Sequence, residues 1–381
     1  MRLRAPRPAR PDRRAPGTRL PPLLLARTAD LPAAAPQVHE GSGGGAGARG
    51  GEWRAARCVV KYILGVDIGG TNLVVGAVTE DGGRIRGLVS EPTGAPEGPD
   101  AVIHRIVRMA GEVIAATRRE DQGAELLGVG IGSPGPLDRR KGLVIFTPNL
   151  RWTNMPVRDR IGTALNLPAS LDNDANCAML GEHWVGAARG ARDAVCFTLG
   201  TGIGGGIVVD GKLVHGASDV AAEIGHITID VNGRRCGCGN DGCLEAYASG
   251  PAIARRAVEA VEAGAASSIP ALVGHDLSKI TAQTVFEAVA QGDALADELV
   301  HDTARYLGVG IANMLNVLNP EVVVICGGVT RAGDHLFVPL RREVARRAFK
   351  PAVEACRIVP GMLEGTAGVV GAAKAWLDQH A

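Results

Sequence analysis

Apolar and polar positions change period several times along the chain. From residue 62 the run YILGVDI breaks on Gly69-Gly70-Thr71 and resumes over 72–79, where Leu73, Val75, Ala77 and Thr79 alternate with Val74, Gly76 and Val78. A period of two that stops at Glu80-Asp81-Gly82-Gly83 predicts strand, turn, strand. Helix is expected over 99–118 and strand over 126–132. A loop is expected over 133–156, then helix over 156–166, a short strand over 169–173 and helix over 174–187. Over 302–318, Leu307, Ile311, Met314, Leu315 and Leu318 share one helical face, and Asn319-Pro320 stops it. That stripe is core packing. The continuous run Val322-Val323-Val324-Ile325-Cys326 predicts a buried parallel strand ending on Gly327-Gly328, where a ligand is the general expectation.

One design occurs twice. Residues 194–216, AVCFTLGTGIGGGIVVDGKLVHG, again read as strand, glycine turn, strand and a tight Asp210-Gly211 turn, with Gly200-Thr201-Gly202 answering Gly69-Gly70-Thr71. The duplication implies two similar lobes with a cleft between them. Dinucleotide sites place such glycines at the start of a helix, and both turns here lead into strands, so that reading is rejected. A bare-backbone turn between strands, with Asp67 at its lip, is a phosphate cradle. Turn formation alone accounts for Gly204, Gly205 and Gly206, but not for two matched hairpins.

Composition divides the chain. Hydrophobic residues make up 46% and charged residues 21%, as in ordinary globular proteins, and no apolar run is long enough to span a bilayer. Residues 1–60 hold 11 arginines, no lysine and four acidic residues, a net +7, and the rest nets −6. The body is mildly acidic, so no nucleic-acid footprint is expected there. The tail is rich in Arg, Pro, Ala and Gly without periodicity, so it reads as disordered. A transit peptide would need more serine and fewer prolines, and a nucleic-acid tether is a second reading. The third, sequence upstream of the true start, fits Val60-Lys61-Tyr62-Ile63-Leu64 as the natural opening of the first strand. PPLLLA is too short for an export signal, and a cytoplasmic body is expected.

The most specific chemistry lies at 223–245, EIGHITIDVNGRRCGCGNDGCLE. His226, Cys236, Cys238 and Cys243 form a Cys₃His set, and a glycine-rich C-x-C-x₄-C loop lets three thiolates converge on one zinc ion. Three cysteines cannot all pair as disulfides. With four protein ligands the zinc is expected to be structural. Cys58, Cys177, Cys196, Cys326 and Cys356 sit in apolar surroundings and read as inert. Glu223 and Glu245 bracket the metal loop as a preorganised polar pair. Asp172, Asn173 and Asp174 stand at the entry of a helix. One of them caps it, and Asp174 in the first turn remains available as a hydrogen-bond acceptor or general base.

VDIGGTN, GIGSPGP, LDNDANCAMLGE, TLGTGIGGG, EIGH and CGCGNDGCLEAYASG together resemble the ROK (repressor, ORF, kinase) family of sugar kinases, from about residue 61 to the C-terminus. The resemblance implies an α/β, actin-like and ribonuclease-H-related ATPase fold of two lobes. These are expected over 61–178 and 179–364, with a helix over 365–381 packing back on the first lobe. It implies ATP- and Mg²⁺-dependent phosphorylation of a hexose and a homodimer or homotetramer; the acidic body and the lack of a long apolar run add the expectation of no nucleic-acid or membrane partner. Asp67, Gly69, Gly70, Thr71 and Asn72 would hold the ATP phosphates and magnesium, with Thr201 and Gly202 opposite and Gly327 and Gly328 nearer the adenosine. Pro134, Gly135, Asn154, Asn173, Asp174, Glu223, His226 and Glu245 would line the sugar, and Asp174 would take the proton from its hydroxyl. Asn72 is a departure, since several relatives have lysine there. Glucose is the expected sugar, with N-acetylglucosamine, N-acetylmannosamine, fructose and allose as alternatives. The family also contains sugar-sensing repressors with a helix-turn-helix ahead of the VDIGGT strand, where this chain has its Pro/Arg/Gly tail.

Overall fold

Two five-stranded sheets of identical internal order carry the protein, seen here in a computed structural model that describes residues 59–380. Residues 1–58 of the expected tail lie outside the described residues.

In the first half β1 (Val60–Ile68), β2 (Asn72–Thr79) and β3 (Ile85–Pro92) form an antiparallel meander. Helix α1 (Pro99–Glu120) then crosses to β4 (Ala124–Ser133), which lies parallel to β1. The expected loop over 133–156 is not irregular. It folds as β5 (Leu137–Asp138), β6 (Leu143–Thr147) and β7 (Trp152–Met155), a separate antiparallel sheet. Strands of two to five residues are too short to display a period in the sequence. Helix α2 (Val157–Leu165) leads to β8 (Ala169–Asn173), parallel to β4, and α3 (Asp174–Val185) follows directly. The first sheet thus runs β3-β2-β1-β4-β8.

The second half repeats the plan. Strands β9 (Ala194–Leu199), β10 (Ile203–Val209) and β11 (Lys212–Leu213) are antiparallel neighbours. The zinc-loop region and helices α4 (Glu245–Ala248), α5 (Gly250–Glu262), α6 (Ile269–Leu272), α7 (Ala282–Ala290) and α8 (Ala294–Leu318) intervene before β12 (Val322–Cys326), parallel to β9. Helix α8 starts eight residues earlier than expected, where the Asp293 side chain accepts from Ala296 N–H at 2.8 Å and caps it. Its end is as expected, with Asn319 left-handed at φ 47°. Helices α9 (Asp334–Arg347) and α10 (Lys350–Ala355) lead to β13 (Arg357–Pro360), and α11 (Ala367–His380) closes the fold. The order β11-β10-β9-β12-β13 matches the first sheet strand for strand.

The two helices that follow the last strand of each sheet are exchanged. Met179 of α3 packs with Cys196 and Val208 of the second sheet, while Val369, Val370 and Ala373 of α11 pack with Ile63 and Val78 of the first. The expected lobe boundary at 178 therefore falls inside a helix that both lobes share. The two helices cross almost in backbone contact: a Cβ on Gly371 would lie 1.5 Å from the Cys177 carbonyl oxygen, and one on Gly181 would lie 2.4 Å from that of Ala367. Glycine is obligatory at this crossing, where helices packed on the two sheets meet. Each lobe keeps its own core, around Ile106, Met109 and Trp152 in the first and Phe197, Leu307 and Ile311 in the second.

Candidate functional site

Both glycine turns sit at equivalent ends of equivalent hairpins. Gly69 N–H donates to the Asn72 carbonyl at 2.9 Å, and Gly200 N–H donates to that of Gly202 at 3.0 Å. Gly70, Thr71 and Asn72 are exposed, as are Gly200 and Thr201; the space beside Gly200 is open, and the Asn149 side chain stands next to Gly70. The third turn joins the second. Cys326 pairs with Thr198 across the β9–β12 ladder, and Gly327 follows at φ 100°. A Cβ on Gly327 would lie 2.1 Å from the Leu199 carbonyl oxygen. Thr201, Gly202, Gly327 and Gly328 thus belong to one surface, and the turn carrying Gly69 to Asn72 belongs to the other lobe.

A line of carboxylates runs between them. Asp67, half-buried at the end of β1, is pushed up to about 7 by burial and then by the Asp174 charge. Asp174 is pushed up to about 6, first by burial and also by Glu223, while the Ala175 N–H pulls it down. Burial likewise raises Glu223, with Glu245 adding to it and His226 opposing. Each carboxylate feels the next, which places Asp67, Asp174, Glu223 and Glu245 in one constellation. Such a cluster is costly without a cation or hydrogen-bond donors to offset it. Gly368, at the start of α11, lets that helix approach Asp67, since a Cβ there would lie 2.2 Å from Asp67 Oδ2. Nothing in the sequence singled out Gly368.

The helix cap is Asn173. Its Oδ1 accepts from Ala175 N–H at 2.9 Å and Asn176 N–H at 3.1 Å. Asp174 Oδ1 also accepts from Ala175 N–H, at 2.9 Å, and the Asn173 side chain is a second hydrogen-bond partner of this carboxylate. Ser133 pairs with Asn173 across β4–β8, so Pro134 and Gly135 continue the chain beside Asp174. Gly135, at φ 95°, packs on β6, where a Cβ would lie 2.4 Å from the Phe146 carbonyl oxygen. Phe146 pairs with Thr153, and exposed Asn154 follows at φ 48°. The small sheet missed in the sequence is therefore what carries Asn154 toward Gly135.

The candidate metal centre is compact. The ligand atoms of His226, Cys236, Cys238 and Cys243 all lie within 4.8 Å of one another. Cys236 Sγ is 3.7 Å from His226 Nδ1, and Cys238 Sγ is 3.7 Å from Cys243 Sγ. Tetrahedral ligands at about 2.3 Å from zinc stand about 3.8 Å apart, so the residues fit zinc. Burial pushes the Cys243 thiol up to about 12, so a bound cation is needed to make it a thiolate. Glu245 ties this loop to the second glycine turn: its Oε2 accepts from Ile203 N–H at 2.8 Å, and its Oε1 lies 3.7 Å from Cys236 Sγ. Glu245 was expected to line the sugar. Its observed hydrogen bond is to the backbone beside Gly202.

Asp172 has a separate place. Fully buried, it accepts from Asn173 N–H at 2.8 Å and Asn176 Nδ2 at 3.1 Å, and it pairs with His215 Nε2 at 2.9 Å and Arg139 Nε at 3.0 Å. These partners keep it ionised in spite of its burial. Its partners come from both halves of the chain, so it clamps the start of α3 between the lobes. Arg139 and His215 carry no motif that could have announced them.

Residues 63–379 match the ROK family. The chain belongs to it. It is 41% identical over 316 residues to a glucokinase from Thermotoga maritima, covering 82% of this chain and 96% of that protein. Among solved structures, a ROK family glucokinase from Streptomyces griseus in complex with glucose and AMPPNP matches with a TM-score of 0.71 at 35% identity, over 82% of this chain and 98% of that one. A xylose repressor from Bacillus subtilis is 28% identical over 322 residues, covering 83% of this chain and 77% of the repressor. The fold is accordingly the actin-like ATPase fold of ROK proteins, with the duplicated sheets as its two lobes. Among the described residues no helix is long and apolar enough to cross a membrane.

Proposed function

We propose that this protein is an ATP-dependent glucokinase that transfers the γ-phosphoryl group to the 6-hydroxyl of glucose. The observation that carries the reading is Asp174: a half-buried carboxylate at the entry of α3, where Asn173 supplies the cap, with its pKa pushed up to about 6 by burial and by Glu223. A base of that strength is ionised at neutral pH and can still hold a proton transiently, as general base catalysis requires. The glucokinases at 35–41% identity support glucose over other hexoses.

The residues divide the labour. Backbone amides at Gly70-Thr71 and Thr201-Gly202 offer donors to phosphate oxygens, with Gly69 N–H fixing the first turn on the Asn72 carbonyl, and Gly327-Gly328 bears the nucleoside end. Pro134, Gly135, Asn154, Asn173, Glu223 and His226 line the sugar, and Asp174 accepts the hydroxyl proton as the oxygen attacks. Magnesium would be held near Asp67, whose raised pKa marks a carboxylate short of positive charge, and would neutralise phosphate charge. Zinc on His226, Cys236, Cys238 and Cys243 would fix the loop that carries Glu223 and Glu245. Closure of the lobes about the α3–α11 crossing would exclude water, which otherwise hydrolyses ATP.

ADP release measured over glucose, N-acetylglucosamine, N-acetylmannosamine, fructose and xylose tests the reading. Glucose should give the highest kcat/KM. Sugar binding without ADP release from any hexose would refute the kinase and favour a sensor.

A further inference from the structure

A second cavity, of about 630 Å³, opens beside α3 and α11 and takes no part in the chemistry above. Its walls come from both lobes: Leu180 and Trp184 of α3, Lys374 of α11, Lys212 and Leu213 of β11, and Arg139 from the β5–β6 turn. Its charge is one-sided. Arg139, Arg189, Lys212 and Lys374 line it; Arg139 is paired with Asp172 and Asp219 and Lys374 with Asp378, so the excess positive charge comes from Arg189 and Lys212. Arg189 and Lys212, both exposed, have no carboxylate within salt-bridge distance among the described residues, in a body whose overall charge is negative. Two cations without a carboxylate partner, beside the paired Arg139 and Lys374, leave the concavity net positive and give donors suited to a phosphate group.

The cavity also has an apolar side. Trp184 presents its indole there, with Lys374 Nζ 5.9 Å from the ring centroid, and Leu180 and Leu213 stand beside it. An aromatic ring next to cations suits a ligand with a flat C–H face at one end and a phosphate at the other. We propose that this pocket binds a hexose phosphate at a site distinct from the catalytic cleft. The choice of glucose 6-phosphate as probe rests on the kinase reading. The site itself rests on the lining, which also places the ligand against Arg139 and His215, the two side chains that hold Asp172.

The test is calorimetric titration of glucose 6-phosphate into the full-length protein, with the cleft already saturated by glucose and a non-hydrolysable ATP analogue. One saturable equivalent is expected, with a change in tryptophan fluorescence that Trp184→Phe removes. Arg189→Glu with Lys212→Glu should weaken this binding by about tenfold or more, since two charge-assisted contacts are reversed. Both residues are exposed and outside the catalytic set, so glucose phosphorylation should stay within about twofold, which also shows that the variant folds. No binding to the saturated enzyme would overturn the proposal. So would equal affinity for inorganic phosphate or for glucose alone, or binding that the double variant leaves intact. Failure of the kinase reading would appear separately, as absence of ADP release, and leaves this titration interpretable.

Discussion

Asp174→Asn separates a catalytic carboxylate from a helix cap. Asparagine keeps the side chain's size and its Oδ1, so the 2.9 Å bond from Ala175 N–H can persist, and Asn173 retains the cap. What disappears is the ability to take a proton. Turnover should fall by about 10²–10⁴-fold, the usual contribution of a general base, while glucose affinity changes only a few-fold. Stability should move the other way. The Asp174 carboxyl rises from 3.8 to about 6 on folding, so the native state disfavours its ionised form. Two units correspond to roughly 3 kcal/mol, and the side chain's partial exposure reduces that to about 1–3 kcal/mol. This penalty is present in full above about pH 6 and vanishes below the unfolded value. The variant without ligands should therefore melt a few degrees above wild type at pH 8, and the difference should close as pH falls from 6 toward 4. Turnover and calorimetric glucose affinity, with melting curves at pH 4.5 and 8, test both halves. Turnover within a few-fold of wild type would show that Asp174 is not the base.

Other consequences follow from the same geometry. In wild type, kcat/KM for glucose should drop about tenfold per pH unit below about pH 6, as Asp174 is protonated; a flat profile down to pH 5 would contradict that role. Metal analysis should find one zinc per chain, and Cys238→Ser should lower the melting temperature and weaken both glucose and ATP binding, because Glu245 joins the zinc loop to Ile203 N–H; active enzyme free of zinc would end the assignment. Gly327→Ala places a methyl group 2.1 Å from the Leu199 carbonyl and should raise KM for ATP far more than KM for glucose. A truncated chain beginning at Val60 should keep activity and stability within a few-fold, since β1 starts there.

The motifs of the candidate site were legible because each is short and contiguous. Two glycine turns at a fixed offset, a Cys₃His loop and an Asx-rich helix entry each declare themselves locally, and the structure brings the metal ligands within 4.8 Å of one another. The matched sheet orders follow from the repeat that the sequence displayed. What the sequence hid is long-range. Strands β5 to β7 are too short to show alternation, yet they position Gly135 and Asn154. Arg139, Asp172 and His215 stand 33 to 76 residues apart, so nothing local marks them as one network. The exchange of α3 and α11 depends on glycines whose neighbours are known only once the helices cross, so the lobe boundary drawn at 178 cut through a shared helix.

Direct observation of phosphoryl transfer tests the central claim. Phosphorus NMR of the protein with ATP, Mg²⁺ and glucose should show the γ-phosphate signal replaced, one for one, by glucose 6-phosphate, with the Asp174→Asn protein silent under the same conditions. Conversion of ATP to inorganic phosphate with no sugar phosphate, or a product phosphorylated at a hydroxyl other than the sixth, would contradict the account.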